Sequence, residues 1–160
     1  MLLYDKRDST TDPTAGYFAQ LGNDLAGLGG DARYLRSTVS GGYYHAWAQS
    51  WVMSLTGETG YIKGLGQPVA IEDRYYVGGD NLRGFSTGGI GPRDQNTTQA
   101  LGGNTYYVGS ISEGFPLGLP AELGLSGRVW SDFGSLFGVD VQPQPGSPIQ
   151  TSNAIRVSVG

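Results

Sequence analysis

Cysteine is absent from this 160-residue chain, which excludes a disulfide scaffold and a thiolate metal site and leaves the compartment open. Histidine occurs once, at His45, between Tyr44 and Trp47. Ser-His-Asp catalysis would have to run through that residue, and an aromatic-girdle or turn role suits its position better. Charged residues make up only 15% of the chain, too few for a soluble helical protein rich in Lys, Glu and Leu. Those charges sum to −4, against the basic surface that a nucleic-acid partner requires. No run of about 18 apolar residues occurs, so no helix is predicted to span a membrane. That absence does not bear on a spanning β-barrel, whose apolar face is hidden in alternation. Met1–Arg7 lacks the apolar core and small-residue cleavage site of an export leader. An exported form is therefore expected to begin upstream.

What the chain has instead is 28 glycines, 10 tyrosines and a repeated period-two pattern. The aromatic content argues against disorder. Tyr17, Ala19, Leu21 and Leu25 oppose Gln20 and Asp24; Leu35, Val39, Tyr43 and Trp47 oppose Arg36, Thr38 and Ser40. Trp51, Met53 and Leu55 oppose Ser54, Thr56 and Glu58. Leu125, Val129 and Phe133 oppose Ser126, Arg128 and Asp132, and Ile155, Val157 and Val159 oppose Arg156 and Ser158. Such strands suit a soluble sandwich, with the apolar face inside, or an outer-membrane barrel, with the apolar face in lipid and the polar face lining the lumen. Three features favour the antiparallel transmembrane barrel. The segments run roughly 9–15 residues, longer than the strands of soluble sheets. Aromatics gather near strand ends (Tyr43, Tyr44, Trp47, Trp51, Tyr61, Tyr106, Tyr107), as interfacial girdles do. Finally, the connections alternate between a tight turn at Ala48-Gln49-Ser50 and long stretches at Gly66–Asn104 and Phe137–Asn153.

The long stretch at 67–103 carries Tyr75-Tyr76-Val77-Gly78-Gly79-Asp80-Asn81-Leu82-Arg83-Gly84-Phe85, continuing to Ile90-Gly91-Pro92-Arg93-Asp94. A lone arginine among glycines and aromatics presents a permanent charge on a planar fork of donors, suited to a buried carboxylate. Other chemistries fit less well. Asp5, Asp8 and Asp12 lack the spacing of a calcium loop and read as lumen charges beside a turn. Gly78-Gly79 and Gly88-Gly89 do not lead from a strand into a helix, so they are not a phosphate loop. Pro143, Pro145 and Pro148 mark an exposed loop. No catalytic, metal or cofactor site is expected.

The arginine loop resembles the signature loop of the Omp85 superfamily, barrel proteins that insert other barrels into outer membranes, in its α-proteobacterial form. Trp130-Ser131-Asp132-Phe133-Gly134-Ser135 is similar to the family's aspartate-glycine strand motif. Gly114-Phe115-Pro116-Leu117 with Leu119-Pro120 resembles the end of the intervening strand. Tyr4-Asp5-Lys6-Arg7-Asp8 with Asp12-Pro13-Thr14-Ala15-Gly16 resembles a mid-barrel strand and turn. The resemblance covers nearly the whole chain. It implies one partial barrel domain over 1–160, about six strands of a barrel of about sixteen. Residues 67–103 would form an extracellular loop folded back into the lumen.

By the same resemblance Arg83, followed by Gly84 and Phe85, pairs with Asp132 on the lumen wall and latches the loop. Gly78, Gly79, Gly91 and Pro92, with Gly134 on the wall, would support the docked shape. The family's lumen glutamate, four residues before the strand-end proline, is replaced by Ser112. Glu113 is then a second acidic partner if a bulge turns it inward, or a rim carboxylate facing lipid. The implied function is cofactor-free insertion and folding of outer-membrane proteins through a barrel seam, in the outer membrane of a Gram-negative bacterium. Its partners would be outer-membrane lipid, nascent outer-membrane proteins and, through periplasmic domains, accessory lipoproteins. The N-terminal half of the barrel, the periplasmic domains and the closing strands are expected outside these 160 residues. A two-partner-secretion or translocation barrel, or a porin-like or lipase barrel, is the alternative.

Overall fold

The computed structural model describes residues 1–27, 32–119, 123–140 and 148–160. Pro120, Pro143 and Pro145 lie outside the described residues. Alternation turns directly into strands: β1 (Leu2–Asp5), β2 (Ala15–Ala26), β3 (Tyr34–Ala48) and β4 (Trp51–Gly64) come first. A short ribbon strand β5 (Arg93–Asp94), then β6 (Thr105–Pro116), β7 (Ser126–Phe137), β8 (Ile149–Gln150) and β9 (Arg156–Val159) follow. The main sheet has seven strands in the order β1-β2-β3-β4-β6-β7-β9, every neighbouring pair antiparallel. Its two edge strands, β1 and β9, are four residues each, and the five strands between them run 12, 15, 14, 12 and 12 residues. Twelve residues extend about 40 Å, and a tilt of about 45° brings that to the hydrocarbon thickness of a bilayer.

The β3–β4 turn is Gln49-Ser50, one residue shorter than expected, because β3 continues through a register shift between Ala46 and Ala48. Ser50 takes a positive φ of 61° to close it. Trp47, Trp51 and Phe115 cluster there, with ring centroids 5.1 and 5.8 Å apart.

The two faces of the sheet differ as the alternation requires. Leu21, Leu35, Val39, Tyr43, Leu55, Ile111, Val129 and Val157 stand exposed on one side, and among the described residues nothing covers them. A soluble sandwich would bury this face; an uncovered apolar surface of this extent fits lipid. The opposite face is not uniformly polar as expected. Ile62, Tyr106 and Leu136 point inward from the polar side and are buried, and Val108 packs against the cluster that Tyr106 and Leu136 join. They lie where the stretch 65–104 folds back across β4, β6 and β7. Val77, Leu82 and Ile90 of that stretch complete the cluster. The core of this chain is therefore a loop packed on a sheet wall, and the buried apolar residues of the inner face lie beneath it.

Candidate functional site

Four residues in register across the inner face form the floor of the site: Thr56 on β4, Ser110 on β6, Asp132 on β7 and Ser158 on β9. Small hydroxyl side chains keep the row low, so the single carboxylate is reachable from above. Asp132 is only 4% exposed.

The loop presents Arg83 to this row from a tight turn. The Gly78 N–H donates to Asn81 Oδ1 at 2.8 Å, and Asn81 Nδ2 returns a bond to the Tyr76 carbonyl at 3.1 Å. The Gly79 N–H donates to the Phe85 carbonyl at 2.8 Å. Gly78 sits at φ 125°, where a Cβ would fall 2.1 Å from the Ser86 carbonyl oxygen; only glycine fits. Leu82 is buried below the turn as its hydrophobic plug. Gly84, at φ 84°, lets the backbone approach β9, since a Cβ there would meet Ser158 Cβ at 2.8 Å.

Arg83 and Asp132 meet in a bidentate pair. Nε donates to Asp132 Oδ2 at 2.7 Å and Nη2 to Oδ1 at 2.6 Å, while the Arg83 backbone N–H reaches Oδ2 at 3.2 Å. Nη2 also donates to Ser110 Oγ at 2.8 Å. Ser158 Oγ donates to the Arg83 carbonyl. The guanidinium carbon lies 4.1 Å from the centroid of the Trp130 ring, a cation–π contact. Hydrogen bonding to Asp132 pushes the Arg83 pKa up, against the opposing effect of burial. Beside the pair lies a cavity of about 510 Å³, lined by Glu58, Asp80, Asn81, Arg83 and Asp132 among others.

The other expected supports fall around this clamp. Phe85 packs against the loop core, and Pro92 is fully buried. Gly79 also takes a positive φ. Gly91 leaves room for Leu136, whose Cδ2 would lie 2.5 Å from a Cβ there. Gly134 makes space beside Val108, two residues along the wall from Asp132. Glu113 does not join. It pairs in register with Met53 and Val129 on the outer face, and Trp47 Nε1 donates to its Oε1 at 2.8 Å. No register shift occurs along β6 to turn it inward, so the expected second acidic partner is corrected to a rim carboxylate. Ser110 supplies Arg83's further side-chain acceptor instead.

Sequence reasoning missed Trp130, Ser110 and Ser158 as site residues. Trp130 stood two positions before Asp132 and shares its face by the period of a strand. Ser110 and Ser158 needed the register between strands, which no local pattern carries.

The Omp85 superfamily domain model matches residues 1–160. This chain belongs to the Omp85 superfamily. It is 40% identical over 161 residues to the outer membrane protein assembly factor BamA of Neorickettsia risticii, a match covering 99% of this chain and 21% of that protein. It is 38% identical over 120 residues to a SAM50-like protein of Schizosaccharomyces pombe, covering 71% of this chain and 25% of the relative. Among solved structures, BamA from Haemophilus ducreyi lacking POTRA domains 1–3 superposes with a TM-score of 0.74 at 24% identity, covering 85% of this chain and 29% of that one. The sheet is thus part of an Omp85 barrel, and the chain spans about a fifth to a quarter of the length of these curated relatives.

Proposed function

We propose that this chain is a barrel segment of an outer-membrane protein assembly factor, seated in the outer membrane of a Gram-negative bacterium, with the loop at 65–104 latched inside the lumen. The observation that carries the reading is the Arg83–Asp132 clamp: a loop folded back onto the inner wall and held by a buried carboxylate. The name of the BamA relative, an outer membrane protein assembly factor, supports assembly rather than translocation. The uncovered apolar face supports lipid as its surroundings.

In this reading the clamp is a positioning device and no covalent step is needed. A buried ion pair adds little net stability, but leaving one partner alone is costly, about 3–5 kcal/mol at full burial. The pair therefore selects one docked loop position against alternatives. Nascent outer-membrane proteins would be the clients, and accessory lipoproteins would act through other parts of the full-length protein. The seam at which clients are templated would lie beyond the strands described here.

Charge reversal in the full-length protein tests this. Arg83→Glu should impair the appearance of folded outer-membrane proteins in the membrane fraction, and adding Asp132→Arg should restore part of it. Rescue should be partial, because the swapped pair loses the Ser110 bond and the Trp130 stacking. Normal assembly in both single variants would sink the latch.

A further inference from the structure

A second contact holds the loop at its base, and it depends on a residue without a side chain. Gly60 lies on the inner face of β4, in register with Thr38 on β3 and Tyr106 on β6. A Cβ built at Gly60 would fall 2.3 Å from Tyr106 Cε1 and 2.8 Å from Tyr75 Cζ, closer than carbon atoms approach. The bare backbone is a slot shared by the rings of Tyr106, from the neighbouring strand, and Tyr75, from the loop.

The slot grips Tyr75 from three strands. Its ring centroid is 4.5 Å from that of Tyr106. Its hydroxyl reaches the Ser37 carbonyl and Thr38 Oγ1, each at 3.2 Å. The Arg36 guanidinium lies 5.4 Å from the ring and donates to the Asp73 carbonyl. Tyr106 in turn donates its hydroxyl to Glu58, which keeps the neighbouring ring in place. The next residue, Arg74, staples the loop to itself. Its Nε and Nη2 bond the Val69 carbonyl at 3.1 and 2.9 Å, and Nη1 bonds that of Leu101 at 3.1 Å. Backbone bonds of 3.0 and 2.9 Å between Tyr75 and Gly103 close the base.

We propose that Gly60 and Tyr75 are positioning residues forming a second anchor of the loop, separable from the arginine clamp. The clamp draws its hydrogen-bond partners from β6, β7 and β9; the Tyr75 anchor rests on β3, β4 and β6. The loop is held at two points along the wall, and release of one leaves it hinged on the other. This deepens the latch reading and rests on it for its biological meaning.

Each anchor carries its own reporter, because trypsin cuts after arginine and Arg74 and Arg83 mark the two points. The full-length protein is reconstituted in phospholipid vesicles, heat-dependent gel mobility verifies the closed barrel, and each cleavage rate is normalised to that of the denatured variant. Gly60→Ala and Tyr75→Ala should speed cleavage after Arg74 by on the order of tenfold while cleavage after Arg83 stays slow. Tyr75 lies outside the strands, so its removal does not put the barrel at risk. Gly57→Ala, on the same strand where a Cβ would meet only the Val108 carbonyl at 3.7 Å, should change neither rate. The proposal is overturned if Gly60→Ala and Tyr75→Ala leave the Arg74 rate unchanged, or if both sites open together. Rapid cleavage after Arg83 in the unsubstituted protein would instead remove the clamp itself, which separates failure of the latch from failure of the second anchor.

Discussion

Replacing Asp132 with Asn keeps the side chain's volume and one acceptor oxygen while removing the charge that Arg83 reads. In the native pair two side-chain hydrogen bonds, 2.6 and 2.7 Å long, join the groups. Bonds to charged groups contribute about 1.5–3 kcal/mol net each, and a carboxamide with one acceptor oxygen can keep only one of the two. At full burial the change would therefore remove about 1.5–3 kcal/mol. The Arg83 side chain, however, is 39% exposed, although the Asp132 side chain is only 6% exposed. Water takes over part of the lost bonding and lowers the loss to about 1–2 kcal/mol. The carboxamide also turns an NH₂ donor toward a guanidinium that can only donate, restoring about 1 kcal/mol of penalty. The net is about 2–3 kcal/mol, or roughly thirtyfold to 150-fold more undocked loop. Trypsin cleavage after Arg83 in the reconstituted full-length protein reads this population directly when opening is fast relative to cutting. A rate unchanged by Asp132→Asn would refute the reasoning, since it would mean that the carboxylate's charge does not hold the loop.

Leu136→Ala should loosen the loop from below. Leu136 is fully buried against Gly91 and Gly103, so the cavity should cost roughly 2–5 kcal/mol and speed hydrogen exchange at the Tyr75 and Gly103 amides. A further prediction concerns acid and the β1–β2 turn. The Thr14 hydroxyl, then the Ala15, Thr14 and Ser9 backbone N–H groups, hold Asp8 at about 2, below its ordinary 3.8. A depressed carboxylate stabilises the turn above its ordinary pKa, and that stability is lost as pH falls through the folded value. Exchange at Thr14 and Ala15 should therefore accelerate between pH of about 4 and about 2 beyond its intrinsic pH dependence, and Asp8→Asn should abolish that excess.

The strands were legible because their alternation is a local property. Leu35, Val39, Tyr43 and Trp47 face one side for the same reason that Arg36 and Ser40 face the other: successive side chains point in opposite directions. Phase alone placed Asp132 on the inner face and Glu113 on the outer one. The inward alternative for Glu113 required a bulge in β6, and the unbroken register supplies none. The buried inner residues were less legible. Ile62 and Leu136 sit in polar phases, and only the loop folding over them explains why water is excluded there.

The residues by themselves therefore determined the element type, the two faces and the loop with its single arginine, because period, turn chemistry and charge are written along the chain. The resemblance of Asn81-Leu82-Arg83-Gly84-Phe85 to a family loop pointed to Asp132 as its partner. Tertiary structure alone decided what surrounds the pair: Ser110 and Ser158 from neighbouring strands, Trp130 beneath the guanidinium, and a slot at Gly60 for Tyr75. Those contacts depend on inter-strand register and on a loop crossing several strands, which long-range packing sets and no local stretch of sequence contains.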